Sequence, residues 1–285
     1  MHSQLSPHRA HRVDLTGPYG PIAALRIAGA GPIALLVPGY TGSKEDFAPI
    51  LDPIADAGFE VVAIDLPSQL DSPGPPDEAS YLPAPLGLVV AEVAGKLAAD
   101  GRPVVLLGHS YGGLIARRAV LAGAPVVGLT LLDTGPGELP VGGRRTVLDL
   151  AEPALRQYGV QAAYDALEML NADTPRYQVM APEQRAFLRR RFLCNTVSSL
   201  VGMGTGLRTE PDLVGDLARY LRSHRIGCLV ACGADDDAWT PSSQRDMADR
   251  LEADFSMISG AAHSPAMENP ADLLGTLLPT WKSWL

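Results

Sequence analysis

Short apolar runs recur along this chain, each closed by Gly, Pro or a polar residue and followed by a stretch of helical period. They stand at Ile33 to Val37, Glu60 to Ile64, Val104 to Leu107 and Val126 to Leu132. A run without polar alternation has to be buried on both faces. Strands of that kind belong to parallel sheets whose crossover helices cover both sides. The pattern predicts an α/β fold: a mainly parallel central sheet flanked by helices. Val13 to Thr16 and Ile22 to Ile27, around Pro18-Tyr19-Gly20-Pro21, predict an opening hairpin. Helices are expected after Ser43, which can cap with Asp46, from about Pro85 to Ala99, and directly after Ser110.

From Gly135 to about Arg225 the alternation stops. Helical stretches around Val147 to Tyr158, Val160 to Leu170, Glu183 to Cys194 and Asp212 to His224 follow one another with almost no strand signal. Ile226 to Cys232 then resumes the earlier pattern, followed by a helix near Ser242 to Leu251, a strand at Phe255 to Ile258 and a helix from Pro270 to Trp284. The expected organisation is a flexible tail over 1–12, an α/β core over 13–134 and 226–285, and an inserted helical cap over 135–225. A chain of 285 residues, 46% of them hydrophobic, can bury a core of that size.

With 23 Lys+Arg against 32 Asp+Glu, the net charge of −9 argues against nucleic acid, whose phosphates call for clustered positive charge. The one basic run, Arg189-Arg190-Arg191, reads as a solvated helix face. Cys194, Cys228 and Cys232 form no C-x-x-C pair and indicate no disulfide framework. No run reaches the roughly 18 apolar residues of a membrane span, and the first residues lack a signal core. A soluble, cytoplasmic protein is expected. His8-x-x-His11 offers two ligands in a tail, too few to fix a tetrahedral metal site. Neither a metal nor a cofactor is expected.

The strongest local signal is Gly108-His109-Ser110-Tyr111-Gly112-Gly113, between the apolar run Val104 to Leu107 and the helical Leu114-Ile115-Ala116-Arg117. Gly-x-Ser-x-Gly between a strand and a helix is the context of a nucleophile elbow. The sharp turn strains Ser110, and side chains at 108 and 112 would collide with the turn or the neighbouring strand. A serine hydroxyl is a poor nucleophile at neutral pH, so a base and a group to orient it are required. His2, His8 and His11 fall in the expected tail, His109 is expected to project away from Ser110, and His224 ends a helix. His263, in the small-residue loop after the last strand, is the expected base.

The orienting carboxylate should lie between nucleophile and base in the chain, at a strand end. Asp235, Asp236 and Asp237 follow the Ile226 to Cys232 run. Asp236 is the first choice, Asp237 the second, and Asp133, after Leu132, a third. Acyl transfer also needs fixed donors for a developing oxyanion. The Tyr111 amide, at a helix N-terminus, and the Tyr40 amide, in Pro38-Gly39-Tyr40-Thr41-Gly42, are the expected pair.

Taken together, these residues resemble the α/β-hydrolase superfamily, over most of the chain outside the insertion. Pro38-Gly39-Tyr40 is similar to its His-Gly-x oxyanion loop and Gly108 to Gly112 to its elbow. Gly233-Ala234-Asp235-Asp236 and Gly260-Ala261-Ala262-His263 are similar to its acid and base loops. Two departures stand out: Pro38 replaces the loop histidine, and Asp65-Leu66-Pro67-Ser68-Gln69-Leu70-Asp71-Ser72 lacks both glycines of the family's Asp-x-x-Gly-x-Gly-x-Ser turn. The resemblance implies a cap over the active site and a metal-free serine hydrolase of carboxylesterase type, acting on a small, apolar acyl substrate through an acyl-enzyme. Met169, Met180 and Met203 fit an adaptable apolar pocket. The same fold also serves acyltransferases and cofactor-free perhydrolases, and a non-catalytic small-molecule receptor could retain the triad.

Overall fold

Eight strands make one sheet: β1 (His11–Gly17), β2 (Gly20–Ile27), β3 (Ile33–Val37), β4 (Glu60–Ile64), β5 (Val104–His109), β6 (Gly128–Leu132), β7 (Gly227–Gly233) and β8 (Asp254–Ile258). The computed structural model describes residues 2–285, the side chains of residues 175 and 176 excepted. The sheet order is β1-β2-β4-β3-β5-β6-β7-β8. β1 and β2 form the antiparallel hairpin, β2 joins β4 antiparallel, and the other pairings are parallel. β3, β4 and β6 are buried along their whole length, as unbroken apolar runs require.

Side-chain alternation sorts these strands into two core layers. Leu35, Val37, Val62 and Leu106 face one side, where they meet α2 (Pro83–Leu97), α3 (Tyr111–Leu121) and the inward residues Leu217 and Met247. Ala34, Leu36, Ala63 and Leu107 face the other side. They meet Ile50, Leu51 and Ile54 of α1 (Ala48–Asp56) and Leu273, Leu277 and Trp281 of the C-terminal helix 270–283. A shift of one residue in register would exchange the two layers, so the pairing is strongly specified.

Every element between β6 and β7 is helical: α4 (Gly143–Asn171), α5 (Pro175–Gln178), α6 (Pro182–Leu193), α7 (Val197–Thr209) and α8 (Val214–His224). α4 breaks at Gly159, whose φ of +80° interrupts the helix between the two stretches read from the sequence. α7 lies outside the helical stretches read from the sequence, and its Gly202, Gly204 and Gly206 are poor helix formers. Tertiary packing overrides that weakness: a Cβ at 202 would come within 2.2 Å of the Glu78 carbonyl oxygen, and one at 206 within 2.2 Å of the Tyr111 hydroxyl. Glu210, which ends α7, pairs with Arg117 at 3.1 Å and Arg118 at 2.8 Å on α3.

Two expectations are corrected here. Residues 2–10 do not form a free tail: Gln4 is buried and donates to Asp46 at 3.0 Å, and the Arg9 amide donates to Asp52 at 2.8 Å. The basic run is not wholly a solvated face either, since Arg191 is largely buried and meets Asp46 at 2.5 Å, tying α6 to the core. Among the described residues, no helix is long and apolar enough to cross a membrane.

Candidate active site

At the turn from β5 into α3, Ser110 has φ +55° and ψ −120°. Few L-residues adopt this conformation, and it persists only where the surroundings overdetermine it. The Ser110 amide donates to the Leu132 carbonyl at 2.8 Å, and its own carbonyl accepts from the Gly113 amide at 2.9 Å. A Cβ at Gly108 would lie 2.2 Å from the Gly112 carbonyl oxygen, and one at Gly112 2.5 Å from that of Val37 on β3. These are the two collisions, with the turn and with the adjacent strand, that the elbow glycines avoid.

Ser110 Oγ lies 2.9 Å from His263 Nε2, and His263 Nδ1 lies 2.8 Å from Asp236 Oδ1. The carboxylate makes Nδ1 the donor, which leaves the Nε2 lone pair to accept the serine hydroxyl. Asp236 stands in the turn after β7, and His263 in the loop after β8. The two loops nearly touch: a Cβ at Gly233 would sit 1.8 Å from the Ala262 carbonyl oxygen. Burial alone would push the Asp236 carboxyl up. The hydrogen bond from His263, the attraction of its ring and bonds from the Ala238 amide and Gln244 side chain outweigh burial and hold it below the usual carboxylate range.

The alternative acids stand elsewhere. Asp237 turns outward and pairs with Arg144 at 2.7 Å. Asp133, at the end of β6, is buried and accepts from the Gly233 amide at 2.8 Å. Burial, then the nearby Asp236 charge, pushes its carboxyl well up. Asp133, Asp236 and His263 bring ligand-type atoms within 4.8 Å of one another. Within this group Asp236 Oδ1 and His263 Nδ1 are already joined at 2.8 Å, whereas Asp133 Oδ2 is buried with no hydrogen-bond partner among the described residues.

His109 does not project away as expected. The loop after β8 folds over the end of β5, so the His109 ring lies 5.2 Å, centroid to centroid, from that of His263 and donates from Nε2 to the His263 carbonyl at 2.7 Å. Burial, then the adjacent imidazole, pushes its pKa down to about 4. A neutral ring therefore ties the base loop to the residue before Ser110. No local pattern reveals this contact, which spans 154 positions.

The loop after β3 passes against the elbow, with a Cβ at Gly39 falling 3.0 Å from that of Ser110. This brings the Tyr40 amide into the neighbourhood of the serine. The Tyr111 amide opens α3 and so lacks an intrahelical acceptor. The tyrosine side chain turns the other way, its hydroxyl donating to the Tyr81 carbonyl at 2.6 Å. In the turn that lacks the family glycines, Ser68 and Leu70 still take the positive φ values of +66° and +35°.

Above this group lies a cavity of about 880 Å³. Ser110, His263 and Tyr40 contribute to its core side; Leu148, Leu155 and Leu167 of α4 and Leu188 and Phe192 of α6 line the rest.

Residues 34–276 match the model of the alpha/beta hydrolase family, and the chain belongs to that family. No curated protein sequence matches it. Among solved structures, a thermophilic esterase from Thermogutta terrifontis superposes with a TM-score of 0.73 at 22% identity, covering 97% of this chain and 99% of that one. The enol-lactonase from Burkholderia xenovorans LB400 gives 0.73 at 19% identity, over 92% and 97% of the two chains. An esterase from Rhodococcus sp. ECU1013 gives 0.70 at 21%, over 96% and 99%. At these identities the likeness is one of fold.

Proposed function

We propose that this protein is a serine hydrolase that cleaves esters of small, apolar carboxylic acids through an acyl-enzyme. The observation that carries the reading is the continuous chain Asp236–His263–Ser110, with links of 2.8 and 2.9 Å, beneath an apolar cavity. Ser110 Oγ attacks the ester carbonyl carbon while its proton passes to His263 Nε2, and the carbonyl electron pair moves onto oxygen. The Tyr40 and Tyr111 amides donate to that oxyanion. Asp236 holds the imidazole in the required tautomer and stabilises the imidazolium. The tetrahedral adduct collapses, the carbon–oxygen bond to the alcohol breaks, and the alcohol leaves with the proton from Nε2. Water, deprotonated by the same nitrogen, then releases the acid and restores Ser110.

In this reading residues 135–225 act as a cap, and their side chains select the acyl group. Esterase and lactonase activity in proteins of the same fold supports the ester-type bond as the target. The test is labelling with a fluorophosphonate together with turnover of p-nitrophenyl butyrate. Ser110→Ala is expected to abolish both, and labelling or turnover that survives in that variant removes Ser110 from its role. An alcohol or hydrogen peroxide that outcompetes water for the acyl group would move the protein to acyl transfer or perhydrolysis.

A further inference from the structure

We infer that Gln69 is a positioning residue that aims the Tyr40 amide at the oxyanion, standing in for the loop histidine that Pro38 replaces. The inference rests on the reading of Tyr40 as an oxyanion donor. Gln69 is fully buried, in the turn 65–72 that departs from the family pattern. Its Nε2 donates to the Gly39 carbonyl oxygen at 2.8 Å, and its Oε1 accepts from the Leu66 amide at 3.0 Å. The second bond sets which way the side-chain amide faces, because only with Oε1 toward the Leu66 N–H does Nε2 face Gly39.

The consequence follows from peptide geometry. The Gly39 carbonyl and the Tyr40 N–H belong to one planar unit, and in a trans peptide they point to opposite sides. The Gly39 oxygen is held from one side by Gln69 and by the Gly42 amide at 3.0 Å. The Tyr40 N–H is thereby turned the other way. The peptide cannot rotate without stripping a buried carbonyl of its donors. Thr41, with φ +55°, completes the turn that brings the Gly42 amide back to the same oxygen. Gly39 also packs against Ser110, where a Cβ would be 3.0 Å from the serine Cβ, so the direction of this peptide bears on the serine directly. Pro38 has no N–H and no polar side chain to do the same work from within the loop.

Two variants separate this role from simple packing. Gln69→Glu keeps the acceptor for Leu66 and, once ionised, sets an oxygen against the Gly39 oxygen. Gln69→Met removes both bonds at similar volume. Turnover of p-nitrophenyl butyrate is measured per active site titrated with the fluorophosphonate, alongside inhibition by an alkyl trifluoromethyl ketone, whose serine adduct carries an oxyanion. Both variants are expected to lose about ten- to a hundredfold in kcat, with KM within threefold of the parent. Affinity for the ketone falls by the same factor. In Gln69→Glu the deficit deepens as pH rises and the new carboxyl ionises, whereas in Gln69→Met it is independent of pH. A folded variant whose per-site kcat stays within twofold, or whose kcat falls while ketone affinity holds, overturns the inference. So does failure of both variants to fold, which would make Gln69 a structural staple. Activity that survives in Ser110→Ala would instead overturn the serine-hydrolase reading, whatever Gln69 does.

Discussion

The sheet end that carries Ser110 and the helices above it are built under opposite rules. Around the serine, non-glycine residues with positive φ crowd together: Thr41, Ser68, Leu70, Ser110 and Asp133. Across the inserted helices only Arg225, at the far end of α8, shares that feature. Large apolar side chains show the reverse distribution. Val141, Leu150, Tyr158, Met169, Leu170 and Val179 are all exposed, and all belong to the insertion. Strain survives only where dense packing and hydrogen bonds leave no alternative, so the floor of the cavity is held to one geometry. The helices over it keep a small buried cluster of their own, Leu155, Ala163, Leu200 and Val201, and leave much apolar surface open to solvent. The proposed function places chemistry in the first region and choice of acyl group in the second.

The sharpest way to break this division is at the orienting carboxylate. Asp236→Asn would let an amide donate to His263 Nδ1, leaving Nε2 protonated and unable to accept from Ser110. An expected fall of about 10⁴-fold in kcat, with the fold intact by circular dichroism, checks it. A fall below tenfold would show that the carboxylate does not hold the tautomer.

A second test concerns His109, whose folded pKa lies near 4 against the ordinary 6.5. Because this value is depressed, the unfolded chain binds the extra proton as pH falls through 6.5. Stability is therefore full above that pH and declines toward pH 4. His109→Gln removes the titration, so its urea-unfolding curves should lose less between pH 7 and 4 than those of the parent, by on the order of 2 kcal/mol. Equal losses in the two proteins would remove His109 from the acid limb.

The unequal legibility of the sequence has the same origin as this contrast. β3 and β4 were readable to the residue because strands buried on both faces tolerate nothing but apolar side chains. Ser110 was readable because the elbow glycines stand in one short motif between an apolar run and a helix, although only the Gly108 collision, with Gly112, is local, and that of Gly112 is with Val37 on β3. α7 was not, since its glycines answer to Glu78 and Tyr111, far away in the chain. The burial of Gln4 and Arg191 against Asp46, and the turn of His109 toward the base loop, likewise depend on long-range contacts that leave no local periodicity.

The insertion should respond differently from the floor. Leu167→Trp puts bulk into the cavity without touching the hydrogen-bonded chain below it. Its expected signature is a roughly tenfold drop in kcat/KM for octanoyl relative to acetyl esters, since each methylene accommodated in such a pocket is worth about 1–3 kcal/mol. Turnover of the acetyl ester stays near that of the parent. A uniform loss for both esters would place α4 in the chemistry rather than in selection.

The smallest effect discriminates between strain and packing within the floor itself. Ser68 and Leu70 occupy the two positions where the family pattern has glycine, and both keep positive φ. Glycine relieves the steric cost of that conformation, about 1 kcal/mol, but returns part of it as unfolded-state entropy. Ser68 is buried and its hydroxyl donates to the Thr196 hydroxyl over a long 3.3 Å, a bond whose loss offsets part of the relief, so Ser68→Gly is expected to stabilise by less than about 1 kcal/mol. Leu70 is buried, and removing its side chain forfeits about 1.5–3 kcal/mol of apolar burial, more than the strain released. Leu70→Gly should therefore destabilise. Opposite signs in the two urea midpoints would show that Leu70 is retained for its packing in spite of its backbone; two stabilising changes would show that strain dominates at both positions.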